Sequence, residues 1–308
     1  MSAPLSVRIE NSVYFGIGTA ALLLNVVLIL CVLRKPAFRA RKDLQLAGCF
    51  CVIDALYGLS FVVVATYRYG VLHSKQGNQL MSRYDCNSQI SLAIALMVEQ
   101  MPPCIIALST IDRAVAIFRP FFYYTMSAKW TYAPIVGSIL YGIGAYVLGR
   151  LLTLQEVNLE VSAMCYTYDS VRFEVAKSLH YVRIAFIAIS ILLYIPIFLK
   201  LYKQAKANTS TSNSSFKLLR RTSITVAVAT CTDLLLLLIP DLVLATDFLG
   251  STKYAVLLFV LMFSKSFVNA IACAVRNPEI LRETIADIKS ALGLGAQSVS
   301  SVHALTTF

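Results

Sequence analysis

The sequence predicts an all-α membrane protein, a seven-transmembrane helix bundle followed by a short amphipathic C-terminal helix. Three observations carry that expectation. Of the 308 residues, 58% are hydrophobic and only 14% charged, whereas soluble domains run near a quarter charged. Seven apolar stretches approach the roughly 20 residues that an α-helix needs to cross about 30 Å of hydrocarbon. Most basic residues flank these stretches, where they act as topology signals and meet anionic lipid. The net charge of +11 is therefore a membrane signature, and no nucleic-acid partner is expected.

Residues 1–13 form an extracellular N-terminal segment too short for a domain. It lacks a basic region followed by a small-residue cleavage site, so no cleaved signal peptide is expected. The seven-helix domain is placed at 14–276. Its first span, 14–33, carries Asn25 at mid-length and ends at Arg34-Lys35-Pro36, where charge and proline stop it. Arg39, Arg41 and Lys42 make the next loop cytoplasmic. The second span, 44–66, holds Asp54. An ionised side chain at mid-membrane costs on the order of 2.5–3.5 kcal/mol on insertion scales, so Asp54 needs protein, water or a cation beside it. The third span, 86–118, would rise about 40 Å from Cys86 to Arg113, leaving Cys86 outside and Arg113 inside. Pro102-Pro103 removes backbone donors and should bend it.

The fourth span is 132–153, and the fifth, 179–202, carries Pro196. Between the fifth and sixth spans the chain is polar, rich in Ser, Thr and Asn, and basic at its ends, which suits a cytoplasmic loop. Its two Asn-x-Ser/Thr sites, at Asn208 and Asn213, are then expected to be unglycosylated. The sixth span, 222–246, holds Asp233, Pro240 and Asp241; the seventh, 254–275, holds Lys265 and Asn269. In the cytoplasmic segment 277–308, Ile280, Leu281, Ile285, Ile288 and Leu292 recur at helical spacing among charges, a pattern for a helix on the inner membrane surface. The segments assigned inside carry about twice the Lys and Arg of those outside, which sets the N-terminus outside and the tail inside the plasma membrane. There is no internal repeat of the kind that builds many transporters.

Six cysteines fall within spans, while Cys86 and Cys165 lie at the extracellular face. A pair on the oxidising side is a disulfide candidate, the alternative being two free surface thiols. No His/Cys/acid spacing for a metal, no nucleophile elbow and no phosphate loop occurs, and His73, His180 and His303 are scattered. Neither catalysis nor a cofactor is expected.

Several residues then stand in an order that resembles rhodopsin-like G-protein-coupled receptors. These are Asn25 in the first helix, Asp54 in the second, the two outer cysteines, and Asp112-Arg113 at the foot of the third. Pro196, Pro240 and Asn269 continue the series in the fifth, sixth and seventh. The resemblance covers nearly the whole chain, and Cys86–Cys165 matches the family's usual bridge. Departures are also clear. Ala114 replaces the Tyr of Asp-Arg-Tyr, Asn269-Ala270-Ile271-Ala272-Cys273 lacks the usual proline and tyrosine, and Leu237-Leu238-Ile239 precede Pro240 without an aromatic. The only Trp, Trp130, sits at the inner edge of the fourth span. With Arg119-Pro120 and Arg276-Asn277-Pro278-Glu279, this pattern is similar to the nematode chemosensory serpentine receptors.

The resemblance implies a heterotrimeric G protein as partner and Asp112 holding Arg113 at rest by a charge-assisted bond. Lys217 to Thr232 offers no acid as a second restraint, so measurable basal activity is expected. Lys265 lies four residues before Asn269, one helical turn away on the same face, unlike the retinal lysine of opsins, so a light sensor is not expected. Its ammonium is expected to pair with Asp54 and Asp233 where many such receptors hold sodium, forming a central polar cluster with Asn25 and Asn269. The alternative is a lysine snorkelling toward a membrane face. Glu99, Gln100, Arg183 and Asp241 are the candidate ligand contacts, since intramembrane charges are functional candidates by default. Glu99 and Arg183 could instead pair structurally. The short N-terminus suits a small-molecule or short-peptide ligand. Rivals are a neuropeptide or amine receptor on the same fold and, from another class, a transporter or channel that would use Lys265 and the buried acids as a path.

Overall fold

A computed structural model describes residues 5–39, 41–74, 79–156, 158–207, 227, 230–232, 234–246, 255–276 and 278–291. Helix α1 spans Leu5–Arg34 and α2 spans Lys42–His73, joined by a helical turn at Pro36–Arg39. The third span is two helices, α3 (Ile90–Glu99) and α4 (Met101–Phe118), followed by the short α5 (Pro120–Thr125). Helices α6 (Ala133–Thr153), α7 (Phe173–Ala207), α8 (Ile239–Thr246), α9 (Ala255–Arg276) and α10 (Pro278–Ala291) follow, and shorter helical segments stand at Arg83–Ser88 and Thr167–Ser170. Among the described residues five helices are long and apolar enough to cross a membrane, and Val260–Val275 is a shorter apolar helix.

The boundaries depart from the sequence reading in instructive ways. Helix α1 begins at Leu5, inside the segment read as an N-terminal tail, and α7 begins at Phe173. Two strands unforeseen in an all-α chain, β1 (Leu80–Ser82) and β2 (Glu160–Ser162), pair antiparallel with Met81 opposite Val161. Pro102 and Pro103 fall in the first turn of α4, so the predicted bend is a break at Gln100. Without their N–H groups, the carbonyls of Val98 and Glu99 lose their helical donors, and the ladder opens one step before the prolines. Pro240 acts similarly. It follows a π-helical stretch, Leu234–Leu238, where the wider turn accommodates the proline ring.

Close backbone approach fixes the packing at two glycines. A Cβ on Gly58 of α2 would lie 2.8 Å from the Leu22 nitrogen of α1, and one on Gly142 of α6 would lie 2.5 Å from the Met97 carbonyl oxygen of α3. The core between the helices contains Leu46, Ile53, Tyr57, Val98, Ile105 and Phe263, with the Tyr57 and Phe263 rings stacked at 5.2 Å. Polarity is distributed as in a membrane bundle. Asn25, Asp54, Arg113, Arg183, Asp241 and Lys265 are buried, while Leu140, Leu151, Leu192, Phe198, Ile271 and Val275 face outward. Water would reject that exterior, and lipid accepts it.

Helix α10 packs back on the bundle. Ile280 is fully buried, Cys31 Sγ donates to its carbonyl at 3.7 Å, and Lys35 pairs with Glu283 at 2.8 Å. Arg41 pairs with Glu279. Of the predicted apolar face, Ile280 thus turns inward, and Leu281 and Ile285 are exposed one turn apart. Leu292 lies outside the described residues.

Candidate functional site

Polar side chains within the bundle form three tiers. The first, toward the end of the bundle that carries Cys86 and Cys165, joins α3, α7 and α8. Arg183 lies one turn after His180 on α7, a spacing that places both on one helix face. Its Nε donates to Asp241 Oδ2 at 3.0 Å, one Nη donates to Asp241 Oδ1, and the other donates to Glu99 Oε1. His180 Nδ1 lies 2.9 Å from Asp241 Oδ1. Arg183 and Asp241 are both fully buried, a placement tolerable only for paired charges. Gln100 is buried beside Glu99 at the α3–α4 break, and its Oε1 has no hydrogen-bond partner. Glu99, Gln100 and His180 line a crevice with Leu96, Val171 and Leu179.

This end of the bundle is tied together by further contacts. A disulfide joins Cys86 and Cys165, 79 residues apart, with their Cα atoms 5.5 Å apart. Arg68, two residues past the span read as 44–66, is buried: its Nε donates to the Met164 carbonyl at 3.2 Å and its guanidinium lies 4.6 Å from the Tyr166 ring centroid. Glu10 of α1 stands 3.7 Å from the same guanidinium. Burial pushes the Tyr166 phenol above its ordinary value, which keeps it a neutral face for the cation.

The middle tier centres on Asp54. Ser266 Oγ donates to Oδ1 at 3.1 Å, Asn269 Nδ2 donates to Oδ2 at 3.2 Å, and Lys265 Nζ lies 3.9 Å from Oδ1. Lys265 is only 2% exposed, inside the bundle and not at a membrane face. Asn25 stands apart from this bonding, since its Nδ2 donates to Ala21 in its own helix. Asp233 lies outside the described residues.

At the opposite end from the disulfide Arg113 is buried and donates through Nε to Asp112 Oδ2 at 3.0 Å. Tyr123, presented by α5, accepts from Arg113 at 2.7 Å and reaches the same carboxylate at 3.4 Å. Lys42 sits over the Tyr123 ring at 5.1 Å. Burial raises the Tyr123 phenol, with Arg113 pulling the other way, so its hydroxyl stays protonated across the physiological range.

Glu99, Arg183 and Asp241 thus meet in one ionic network with Gln100 at its edge, and Asp54, Lys265 and Asn269 meet in another. His180, dismissed as a scattered histidine, is a member of the first. Its three-residue spacing from Arg183 was the available signal. Tyr123 and Ser266 were also missed; Arg119-Pro120 marks where the third span ends, but not that the next short helix brings Tyr123 back to Arg113.

No functionally curated protein matches the chain. The family described as serpentine type 7TM GPCR chemoreceptor Srsx matches residues 18–286, a stretch that includes all three tiers. This chain belongs to the Srsx family of serpentine seven-transmembrane G-protein-coupled chemoreceptors.

Proposed function

We propose that this protein is a chemosensory receptor of the plasma membrane, which turns binding of a small extracellular ligand at the outer tier into activation of a heterotrimeric G protein at the inner one. Its N-terminus is extracellular, residues 14–276 form the receptor domain, and 277–308 are cytoplasmic. The observation that carries this reading is the buried clasp of Arg113 by Asp112 and Tyr123, on the same broken span as Glu99. From Glu99 to Arg113 that span covers about 20 Å at 1.5 Å per residue. A ligand that shifts the weakly laddered joint at Gln100 can move α4 against α5 and release the guanidinium to the G protein. Lys265 supplies the positive charge that sodium gives to the equivalent site of many rhodopsin-like receptors.

The test is second-messenger output from cells expressing wild type and Arg113→Ala, unstimulated and challenged with pooled small odorants and short peptides. Loss of the response in the variant, at equal surface expression, is expected. Ion-dependent uptake or current without a G protein would refute the receptor reading and favour transport.

A further inference from the structure

Helix α4 ends where its sequence forces it to. Pro120 has no N–H to give Ala116, so the ladder stops at the bond from the Arg119 N–H to the Val115 carbonyl, 2.8 Å, and the chain turns through Arg119 into α5. The carbonyls of the last turn are left without helical donors, at the negative end of the helix dipole. That of Ile117 is taken by another helix. Lys200 Nζ of α7 donates to it at 2.7 Å, and the same ammonium stands 4.8 Å from the centroid of the Phe118 ring. A lysine near a membrane face ordinarily snorkels its charge to water or headgroups. The Lys200 charge is turned onto the end of α4, where a carbonyl and a ring face both attract it.

Its position makes this contact more than a cap. Ile117 lies one turn after Arg113 on the same face of α4, and both are buried. Arg119 links Ile117 to α5, where the Tyr123 hydroxyl closes the clasp on Arg113 and the Tyr123 N–H bonds the Arg119 carbonyl at 3.0 Å. Lys200 therefore pins the joint that sets where Tyr123 stands. It belongs to α7, the helix that carries His180 and Arg183 in the first tier. Arg183 and Lys200 are about 25 Å apart at 1.5 Å per residue, and Pro196 between them removes one bond from the ladder.

Resting on the proposed switch at Arg113, we infer that Lys200 is a positioning residue for that switch: by holding the α4–α5 joint from α7, it keeps Tyr123 on Arg113 until the two long helices part. The stretch from Lys217 to Thr232 has no acid to restrain Arg113. A cation on α7 takes that part, acting through the joint and not on the guanidinium. Parting of α7 from the foot of α4 breaks one charge-assisted bond, frees the joint, and lets α5 carry Tyr123 off Arg113.

The test uses Lys200→Met, which keeps the apolar stem and deletes the ammonium, and Lys200→Arg, which restores a cationic donor. Hydrogen exchange of the full-length receptor in detergent, without ligand or G protein, is read at Pro120–Thr125. A hydrogen bond to a charged donor is worth roughly a tenfold change in an opening equilibrium. Lys200→Met should therefore speed exchange there about tenfold and leave the Leu92–Leu96 stretch unchanged, while Lys200→Arg should stay near wild type. In cells at equal surface expression, Lys200→Met should raise ligand-independent second-messenger output several-fold. Added to Tyr123→Phe, it should raise output by less than the product of the two single effects. A lysine that only capped the helix would, on removal, lower the unfolding midpoint and the signal together. Unchanged α5 exchange in Lys200→Met, an arginine variant no closer to wild type than the methionine one, or effects of Lys200→Met and Tyr123→Phe that simply multiply overturns the inference. Faster α5 exchange restored by arginine, with no second-messenger output even from ligand-challenged wild type, keeps Lys200 as the holder of the joint and refutes the receptor reading; ligand-driven output with unchanged α5 exchange does the reverse.

Discussion

Replacing Arg183 by Met isolates what the outer network contributes. The substitution keeps much of the side-chain length but deletes a guanidinium bonded to Asp241 and Glu99. Asp241 would be left fully buried with His180 as its remaining partner in the network. Removing one member of a buried ion pair costs about 3–5 kcal/mol, chiefly because the other charge is stranded. Here two carboxylates lose their cation, which places the effect near the top of that range, about 5 kcal/mol. Protonation of a stranded carboxylate sets the ceiling. A chain of this size loses roughly 2–4 °C of midpoint per kcal/mol, so unfolding of the purified variant should begin about 10 °C or more below wild type. The double variant Arg183→Met/Asp241→Asn removes the stranded charge and should recover most of the loss. A single variant melting within about 2 °C of wild type, or a double variant no better than the single, would refute the claim that these charges are mutually dependent.

Two further outcomes follow from the other tiers and one from the helix packing. Tyr123→Phe removes the hydroxyl bonded to Arg113 and should weaken the clasp by about 1 kcal/mol, raising ligand-independent second-messenger output several-fold; an unchanged basal signal at equal expression would contradict it. Wild-type ligand affinity should be indifferent to sodium between none and about 0.15 M, because Lys265 stands beside Asp54. Lys265→Ser should make affinity sodium-dependent, and a sodium shift already present in wild type would sink the pairing. Gly142→Ala pushes a Cβ into the Met97 carbonyl of α3 and should destabilise by about 1–3 kcal/mol, read as a lower midpoint, while alanine at Gly144, where nothing lies within 4 Å, should be neutral.

The sequence alone determined the class of molecule and the position of most spans. Apolar runs of membrane length bounded by Arg and Lys admit few other structures, because a lipid-exposed backbone must satisfy its hydrogen bonds within the helix. It also singled out Asp54, Arg113, Arg183 and Lys265, since a charge within such a run is expensive and therefore informative. The expectation that Lys265 meets Asp54 agrees with their 3.9 Å separation, but the Arg183–Asp241 pair, 58 residues apart, was not legible; helical periodicity gives the face of one helix but not the rotation of its neighbour. Nor could the sequence foresee that two prolines would divide the third span at Gln100, or that Arg68 would turn inward onto Met164. Those outcomes depend on which partner is within about 3 Å once the helices have packed, a distance that only the tertiary structure fixes.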